Sequence, residues 1–199
     1  MIIKDKTIDG GKGFDWGRVS SEYAKYRDIY PKIFFRKILD LGLCKDGQKI
    51  LDLGTGTGVL PRNMYCYGGI WTGTDISEEQ IEQAKHLSAG MNIDYKAVAT
   101  EKIDFPAESF DVITACQCFW YFDHESVMPN LYRMLKPGGM FLICNESSGD
   151  TDKDEKWTKI ISGMTIYKDS QLKAYLEQAG FQNIQIHKRK NWLCVTAQK

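Results

Sequence analysis

The sequence predicts an α/β protein with a doubly wound, mostly parallel sheet of seven strands and helices on both of its faces. Short apolar, β-branched runs alternate with segments of helical periodicity. These runs are continuously apolar, as expected for parallel strands that are buried on both faces. The last two runs follow each other without an intervening helix, which indicates a C-terminal antiparallel hairpin.

Seven segments have the composition of strands, and the first five are predicted to be parallel. In chain order they read KILDL, IWTGTD, IDYKAVA, FDVITACQC, MFLICNE, IQIHKRK and WLCVTAQ. Ligands of such sheets bind beyond the carboxyl ends of the strands, so we expect the functional residues in the loops that follow them.

The first predicted helix lies between Pro31 and Gly42, residue types that favour a helix start and a helix end. Phe34, Ile38 and Leu41 recur within it at helical spacing. We expect these three side chains to form its buried stripe.

Four further helices are predicted from their end signals. One begins at Gly58 and is closed by the glycine pair 68–69, and the next begins with the capping-box pair Ser77 and Gln80 and ends near Gly90. The last two follow the potential caps Asp123 and Asp169.

The length of 199 residues suits a single domain over residues 1–199. We expect residues 1–45 to form an N-terminal helical cap. The charge-rich run SSGDTDKDEK follows the fifth strand, so residues 147–168 are predicted to be a short lid insertion over the ligand site. A lid that admits a ligand is expected to be mobile without it.

Composition excludes several classes of function. The 26 basic and 26 acidic residues balance, which argues against a nucleic-acid or membrane-surface partner. The sequence lacks an apolar run long enough to span a membrane and has no signal-peptide pattern, so we expect a cytoplasmic protein. Six scattered cysteines and three histidines lack the spacing of a metal site.

A glycine loop follows the first parallel strand. Gly54, Gly56 and Gly58 form G-x-G-x-G, whereas the dinucleotide fingerprint G-x-G-x-x-G would place its third glycine at Val59. The acid at Asp52 would also repel a pyrophosphate. The loop is therefore predicted to bind something other than a dinucleotide.

Two acids indicate which ligand it is. Asp52 precedes the loop and suits a cationic amine, while Asp75 ends the second strand, where a carboxylate accepts hydrogen bonds from ribose hydroxyls. The implied ligand has a ribose, a cationic part and no phosphate. S-adenosylmethionine (SAM) meets this description.

These residues and their order resemble the class I SAM-dependent methyltransferases, particularly the small-molecule branch called type 11, which includes quinone-biosynthesis methyltransferases. The resemblance implies a Rossmann-like fold and in-line methyl transfer to a small-molecule acceptor, with S-adenosylhomocysteine as product, by a monomer or homodimer. The matching segments are FDWGRVSSEYAKYRDIYP, ILDLGTGTGVL, GTDIS, ATEKIDFPAESFDVITACQCFWYFD, LYRMLKPGGMFLI and LEQAGF…WLCVTAQK.

The resemblance also implies roles for single residues. Asp52 and the backbone of Gly54 and Gly56 hold the methionine end of SAM, Asp75 binds the ribose hydroxyls, and Ile76 packs on the adenine. The remaining residues of the implied cofactor site are Thr55, Gly58, Thr100, Glu101, Cys116 and Gln117.

The resemblance assigns the last four of these residues, Thr100, Glu101, Cys116 and Gln117, to two parts of SAM. Thr100 and Glu101 are implied to line the adenine edge, and Cys116 and Gln117 to face the methionyl part. The chain departs from the family at Ala99, where relatives often carry an Asp that hydrogen-bonds the adenine amino group.

Catalytic and acceptor residues are less defined. A base is needed only if the acceptor must lose a proton, and the candidates are His124, expected on the surface of a first helical turn, Glu146 and Tyr23. Aromatic residues either pack in the core or line the acceptor site. The candidates for acceptor contacts are Tyr26, Trp120, which stands where many relatives have His, Tyr121 and Trp157.

Two other functions stay open. A SAM-binding protein without transferase activity would have the same cofactor site. A nicotinamide-dependent oxidoreductase would share the fold, although Val59 in place of the third glycine argues against it.

Overall fold

The computed structural model describes residues 2–3, 30–146, 161–162, 167–189 and 192–199. The strands are β1 (Ile2–Ile3), β2 (Lys49–Leu53), β3 (Ile70–Asp75), β4 (Asp94–Ala97), β5 (Phe110–Cys116), β6 (Leu135–Glu146), β7 (Ile161–Ser162), β8 (Gln182–Arg189) and β9 (Trp192–Gln198). The α-helices are α1 (Lys32–Asp40), α2 (Val59–Met64), α3 (Glu78–Leu87), α4 (His124–Met134) and α5 (Asp169–Gln178). Single 3₁₀ turns cover Tyr65–Tyr67, Thr100–Lys102 and Phe119–Tyr121.

The main sheet has seven strands in the order β4-β3-β2-β5-β6-β9-β8. Strands β2 to β6 pair in parallel, whereas β9 pairs antiparallel with both β6 and β8. The predicted fold class and C-terminal hairpin are confirmed. A second, two-stranded sheet pairs β1 with β7, which the sequence pattern did not indicate.

The strand order fixes where a ligand can bind. From β2 the chain moves outward through β3 and β4, then returns to place β5 on the other side of β2. The connections after β2 and β5 therefore diverge and leave a crevice at the carboxyl edge of the sheet. The glycine loop lies there, because it directly follows β2.

Two apolar clusters cover opposite faces of the sheet. The larger holds residues of α4 and α5, including Leu131 and Leu172, against Phe141 of β6. The other holds Ile38 of α1 and Met64 of α2. Helices on both faces confirm the doubly wound arrangement.

The predicted stripe of α1 is wrong in part. Phe35 and Ile38 are the buried residues of the helix, while Phe34 is half-buried and stacks on Tyr30 with 4.5 Å between ring centroids. Leu41 is 39% exposed, although at the C-cap it keeps a right-handed helical backbone and donates its N–H to the Lys37 carbonyl at 3.1 Å.

The helix caps differ in how they form. Ser77 accepts a hydrogen bond from the Gln80 backbone N–H at 3.2 Å, which confirms the predicted start of α3. Asp123 occupies the N-cap position of α4 but makes no side-chain cap bond. Asp169 is the first residue of α5 rather than its cap, and its carboxylate pairs with Lys188 at 2.7 Å.

Candidate functional site

The glycine loop folds as it does because of its three glycines. Gly54, Gly56 and Gly58 have φ angles of 56°, 56° and 77°, in the left-handed region that side chains disfavour. A Cβ on Gly54 would also lie 2.6 Å from the Cβ of Cys118. The loop thus turns sharply between β2 and α2, close to the chain that follows β5.

Asp75 connects β3 to this loop. One carboxylate oxygen accepts a hydrogen bond from the Gly56 N–H at 2.9 Å, and the other accepts from the Ser77 N–H at 3.0 Å. Burial raises the pKa of Asp75, and the backbone donors oppose that rise. A carboxylate has about four lone-pair sites, so Asp75 retains the capacity to accept a hydrogen bond from the ribose.

The expected adenine surface lies beside Asp75. Ile76 is 70% exposed, the most exposed of the large apolar side chains in the described part of the chain. Thr100 is buried, and the Glu101 carboxylate accepts a hydrogen bond from the Asp123 N–H at 3.1 Å, which connects this turn to the start of α4. Ala99, at the N-cap of the 3₁₀ turn, offers only backbone groups for adenine.

Asp52 lies beneath the loop and is 2% exposed. Its two oxygens accept hydrogen bonds from the hydroxyls of Thr55 and Thr114, both at 2.6 Å. Burial raises the pKa of Asp52 to about 6, against the effect of these hydroxyls. The Asp52 carboxylate therefore holds Thr55 of the loop in place. Because Asp52 is buried, its charge lies beneath the surface that a ligand would contact.

The chain after β5 completes the crevice. Gln117 has a φ of 64°, unusual for a residue with a side chain and often found where a site imposes it. Its backbone N–H donates to the Cys144 carbonyl at 2.7 Å. Cys118 donates its thiol to the Leu53 carbonyl at 3.0 Å, which holds this turn against the end of β2. Cys116, the last residue of β5, is buried.

The expectation that His124 lies at the surface is wrong, because the ring is 5% exposed. Its Nε2 lies 2.7 Å from the Phe119 carbonyl and its Nδ1 lies 2.9 Å from the Tyr167 hydroxyl. A carbonyl only accepts, so Nε2 carries the proton and Nδ1 accepts from Tyr167. Burial lowers the pKa of His124. The ring is neutral, and its one lone pair is already used.

Two of the predicted acceptor residues lie next to this histidine. Trp120 is buried, with its ring 5.5 Å from Phe119 and 6.0 Å from Tyr167. Tyr121 is half-buried in the same 3₁₀ turn. Trp120 therefore packs into the larger apolar cluster, close to the carboxyl edge.

Several predictions lie outside the described residues. They concern Tyr23, Tyr26 and Trp157, most of the 1–45 cap and almost all of the 147–168 lid. The backbone of Glu146 is described as the end of β6, but its side chain is not.

Asn145 is a further candidate residue that was not predicted from the sequence. It is 1% exposed and one residue from the end of β6, and both polar atoms of its amide lack a hydrogen-bond partner among the residues that the structure describes. Its register partner Leu193 belongs to the larger apolar cluster, which places Asn145 on the face that includes Trp120. The available signal in the sequence was a polar residue, Asn145, at the end of the apolar run MFLIC.

The described residues contain no group of three His, Cys, Asp or Glu side chains placed to hold a metal ion. None of their helices is both long and apolar enough to cross a membrane.

The described residues fit SAM. The left-handed loop leaves backbone at the surface, Asp75 offers acceptors for a ribose, and the exposed Ile76 offers an apolar surface for adenine. Two buried hydroxyls, Thr57 Oγ1 in the loop and Thr74 Oγ1 in β3, have no hydrogen-bond partner in the described part of the chain. No described feature of the site favours a phosphate.

Comparison with known proteins agrees with this geometry. Residues 51–143 match the family model described as a methyltransferase domain. The ubiquinone biosynthesis O-methyltransferases of Pseudomonas putida (strain W619) and Pseudomonas entomophila (strain L48) are each 33% identical to this chain over 129 residues. The alignments cover 62% of this chain and 54% of each relative, so the match spans about half the length of these relatives.

Solved structures share the fold. A SAM-dependent methyltransferase from Aquifex aeolicus superposes with a TM-score of 0.74 at 21% identity, covering 94% of this chain and 99% of its own. Haemonchus contortus phosphoethanolamine N-methyltransferase 2, solved in complex with SAM, gives 0.76 at 16% identity, covering 95% and 61%. The domain match, the relatives and the sheet order make this chain similar to the class I SAM-dependent methyltransferases, a family that uses S-adenosylmethionine as its cofactor.

Proposed function

We propose that the protein transfers a methyl group from SAM to a small-molecule acceptor. The observation that carries the proposal is the link between Asp75 and Gly56, which holds the ribose-binding carboxylate and the glycine loop together at the carboxyl edge. The family match over residues 51–143 supports the same function.

Methyl transfer requires mainly that the protein position SAM and the acceptor relative to each other. SAM supplies a methyl group on a positively charged sulfur, which leaves as a neutral thioether. The protein has to hold the acceptor in line with that methyl group, and alignment of this kind contributes roughly 7–11 kcal/mol to lowering a barrier. The buried charge of Asp52 favours a cationic ligand above the loop.

We propose that the acceptor carries a hydroxyl group and that Asn145 binds it. A buried amide without partners is costly, and a ligand hydroxyl would satisfy both its acceptor and its donor atoms. The name of the Pseudomonas relatives, ubiquinone biosynthesis O-methyltransferase, supports oxygen as the methylated atom.

The base for such a hydroxyl stays a proposal. His124 is a poor candidate because its lone pair is bound to Tyr167. Glu146 and Tyr23 are the other candidates, with Tyr26 and Trp157 proposed to contact the acceptor from the 1–45 cap and the 147–168 lid. We further propose one cytoplasmic domain over residues 1–199, as a monomer or homodimer, that does not bind nucleic acid.

A SAM-binding protein without transferase activity is the second candidate. His124 is the one candidate base whose side chain the structure describes, and both of its ring nitrogens are already hydrogen-bonded. This favours a protein that binds SAM without transferring its methyl group. Both the methyltransferase and the non-catalytic protein would bind SAM, but only the methyltransferase would release S-adenosylhomocysteine.

The test is an assay of S-adenosylhomocysteine release. The full chain is incubated with SAM and, separately, catechol, histamine or ethanolamine, which present hydroxyl and amine acceptors. Transfer to catechol above the acceptor-free rate supports the proposal. SAM binding without turnover on these acceptors or on a small-molecule extract would favour the non-catalytic candidate.

A further inference from the structure

Three cysteines lie side by side on three neighbouring strands. Cys116 of β5 is the register partner of Cys144 of β6, and Cys144 is the register partner of Cys194 of β9. Paired residues point to the same face, so the three thiols form one row across the sheet. The row lies on the face covered by α1, near the carboxyl edge.

Two neighbouring thiols of this row, those of Cys144 and Cys194, are already close. The Cys144 Sγ lies 3.1 Å from the Cys194 Sγ and donates its hydrogen to it. Directly opposed residues on antiparallel strands have Cα atoms about 4.5–5.5 Å apart, within the range of about 4.4–6.8 Å found for disulfides. A bond between the two sulfurs thus needs little movement of the strands.

The two thiols differ in reactivity. The hydrogen bond from Cys144 lowers the pKa of Cys194, although burial opposes this. The pKa of Cys144 is raised well above its ordinary value by its bonds with Cys116 and Cys194 and by burial. Cys194 is half-buried and Cys144 is 1% exposed, so the thiol with the greater thiolate character is also the accessible one.

We propose that Cys144 and Cys194 form an oxidisable pair that hydroperoxides convert to an intramolecular disulfide. The proposed oxidation does not depend on the methyl-transfer activity.

The reaction has two steps. The Cys194 thiolate attacks hydrogen peroxide, so that an S–O bond forms, the O–O bond breaks and the departing hydroxide takes a proton to become water. The Cys144 sulfur then attacks the sulfenic acid of Cys194, forming the S–S bond, while the S–O bond breaks and a second water leaves with the Cys144 proton. Two thiols lose two electrons in total, and one peroxide is reduced to two waters.

The sequence makes the product easy to identify. Trypsin places Cys144 alone in residues 134–153 and Cys194 alone in residues 191–199, while Cys116 and Cys118 share residues 103–133. The experiment uses full-length Cys66→Ser protein, since Cys66 is an exposed cysteine that could cross-link two molecules. The protein is treated with hydrogen peroxide, alkylated and digested without reductant.

The expected result is a peptide pair joining residues 134–153 to 191–199, which disappears after dithiothreitol. Cys144→Ser, the matched control, should instead leave Cys194 as a sulfenic acid that dimedone traps, because the second thiol is gone. Cys194 recovered as unreacted thiol, or joined to the peptide of residues 103–133, would overturn the proposal.

Discussion

The carboxylate of Asp75 accepts a hydrogen bond from the backbone N–H of Gly56 at 2.9 Å. This bond joins the end of β3 to the middle of the glycine loop, two elements 19 residues apart in sequence. The second oxygen of Asp75 binds the Ser77 N–H at the start of α3. One side chain therefore fixes the loop, the strand end and the helix start around the proposed ribose site.

Asp75→Ala should weaken SAM binding. It removes the proposed hydrogen bonds to the ribose, and bonds to charged groups are each worth about 1.5–3 kcal/mol, so a loss of at least roughly tenfold in affinity is expected. Isothermal titration calorimetry with SAM measures this. Asp75→Asn should retain part of the affinity, because an amide oxygen still accepts.

Asp111 offers a matched control. Its carboxylate also accepts a backbone N–H, from Lys49 at 2.8 Å, and pairs with Lys136 at 2.8 Å, but it lies at the start of β5, at the amino edge of the sheet. Asp111→Ala should leave the affinity for SAM unchanged. Equal affinity losses in both variants would mean that Asp75 acts only through the fold.

Asp52→Asn should stabilise the protein in a pH-dependent way. The pKa of Asp52 rises from 3.8 to about 6 on folding, so ionisation costs the folded state stability as pH rises between these values. The variant should match the wild type near pH 4 and exceed it by about 3 kcal/mol above pH 7. Urea unfolding at several pH values measures the difference.

The control for this prediction is Asp40→Asn, on an exposed carboxylate of α1. Its effect should stay within about 0.5 kcal/mol at every pH, as for most surface substitutions. A stability difference for Asp52→Asn that is flat from pH 4 to 8 would show that Asp52 does not titrate in this window.

The fold was predictable because its signals are local. Apolar runs such as FDVITACQC identify buried strands, and the Ser77–Gln80 pair identifies a helix start from four consecutive residues. The stripe of α1 was not predictable in the same way. Phe34 contacts Trp192, which is far away in the sequence, and such a contact depends on the tertiary fold.

The candidate site was predictable where backbone geometry dictates residue type. Glycines with left-handed φ and an acid at a strand end leave visible spacing in the sequence. The burial of His124 was not visible, because it depends on Tyr167, 43 residues away. The isolation of Asn145 was likewise hidden, since a missing partner is a property of three-dimensional packing.

Tyr167→Phe should destabilise the protein by about 1–3 kcal/mol, because it leaves the buried Nδ1 of His124 without a donor. Thermal unfolding measures the change. Tyr175→Phe is the matched control, since its ring stacks on Tyr167 at 5.6 Å without contributing to the His124 bond. If Tyr167→Phe lowered stability no more than Tyr175→Phe, the hydrogen bond between Tyr167 and His124 would not contribute to stability.

Asn145→Leu should separate stability from activity. The amide has no hydrogen-bond partner among the described residues, so the variant should unfold at the wild-type temperature or above it. Methyl transfer to catechol should fall at least roughly tenfold in kcat/KM. Affinity for SAM should be unchanged. The assay measures S-adenosylhomocysteine release with catechol, or with another hydroxyl acceptor if the wild type is active on that acceptor instead.

Asn130→Leu is the control with the same chemical change. Asn130 donates to the Ile103 carbonyl at 2.6 Å and accepts from Arg133, so its loss should lower the unfolding temperature. If Asn145→Leu destabilises the protein as much as Asn130→Leu, Asn145 has a structural role and the proposed acceptor contact loses its basis.

The glycine loop and Asp75 are proposed to form a SAM site. Isothermal titration calorimetry of the full chain with SAM and with NADH measures whether they do. We predict saturable binding of SAM at a single site, weakened in Asp75→Ala, and no heat of binding with NADH. Binding of NADH without binding of SAM would contradict the claim.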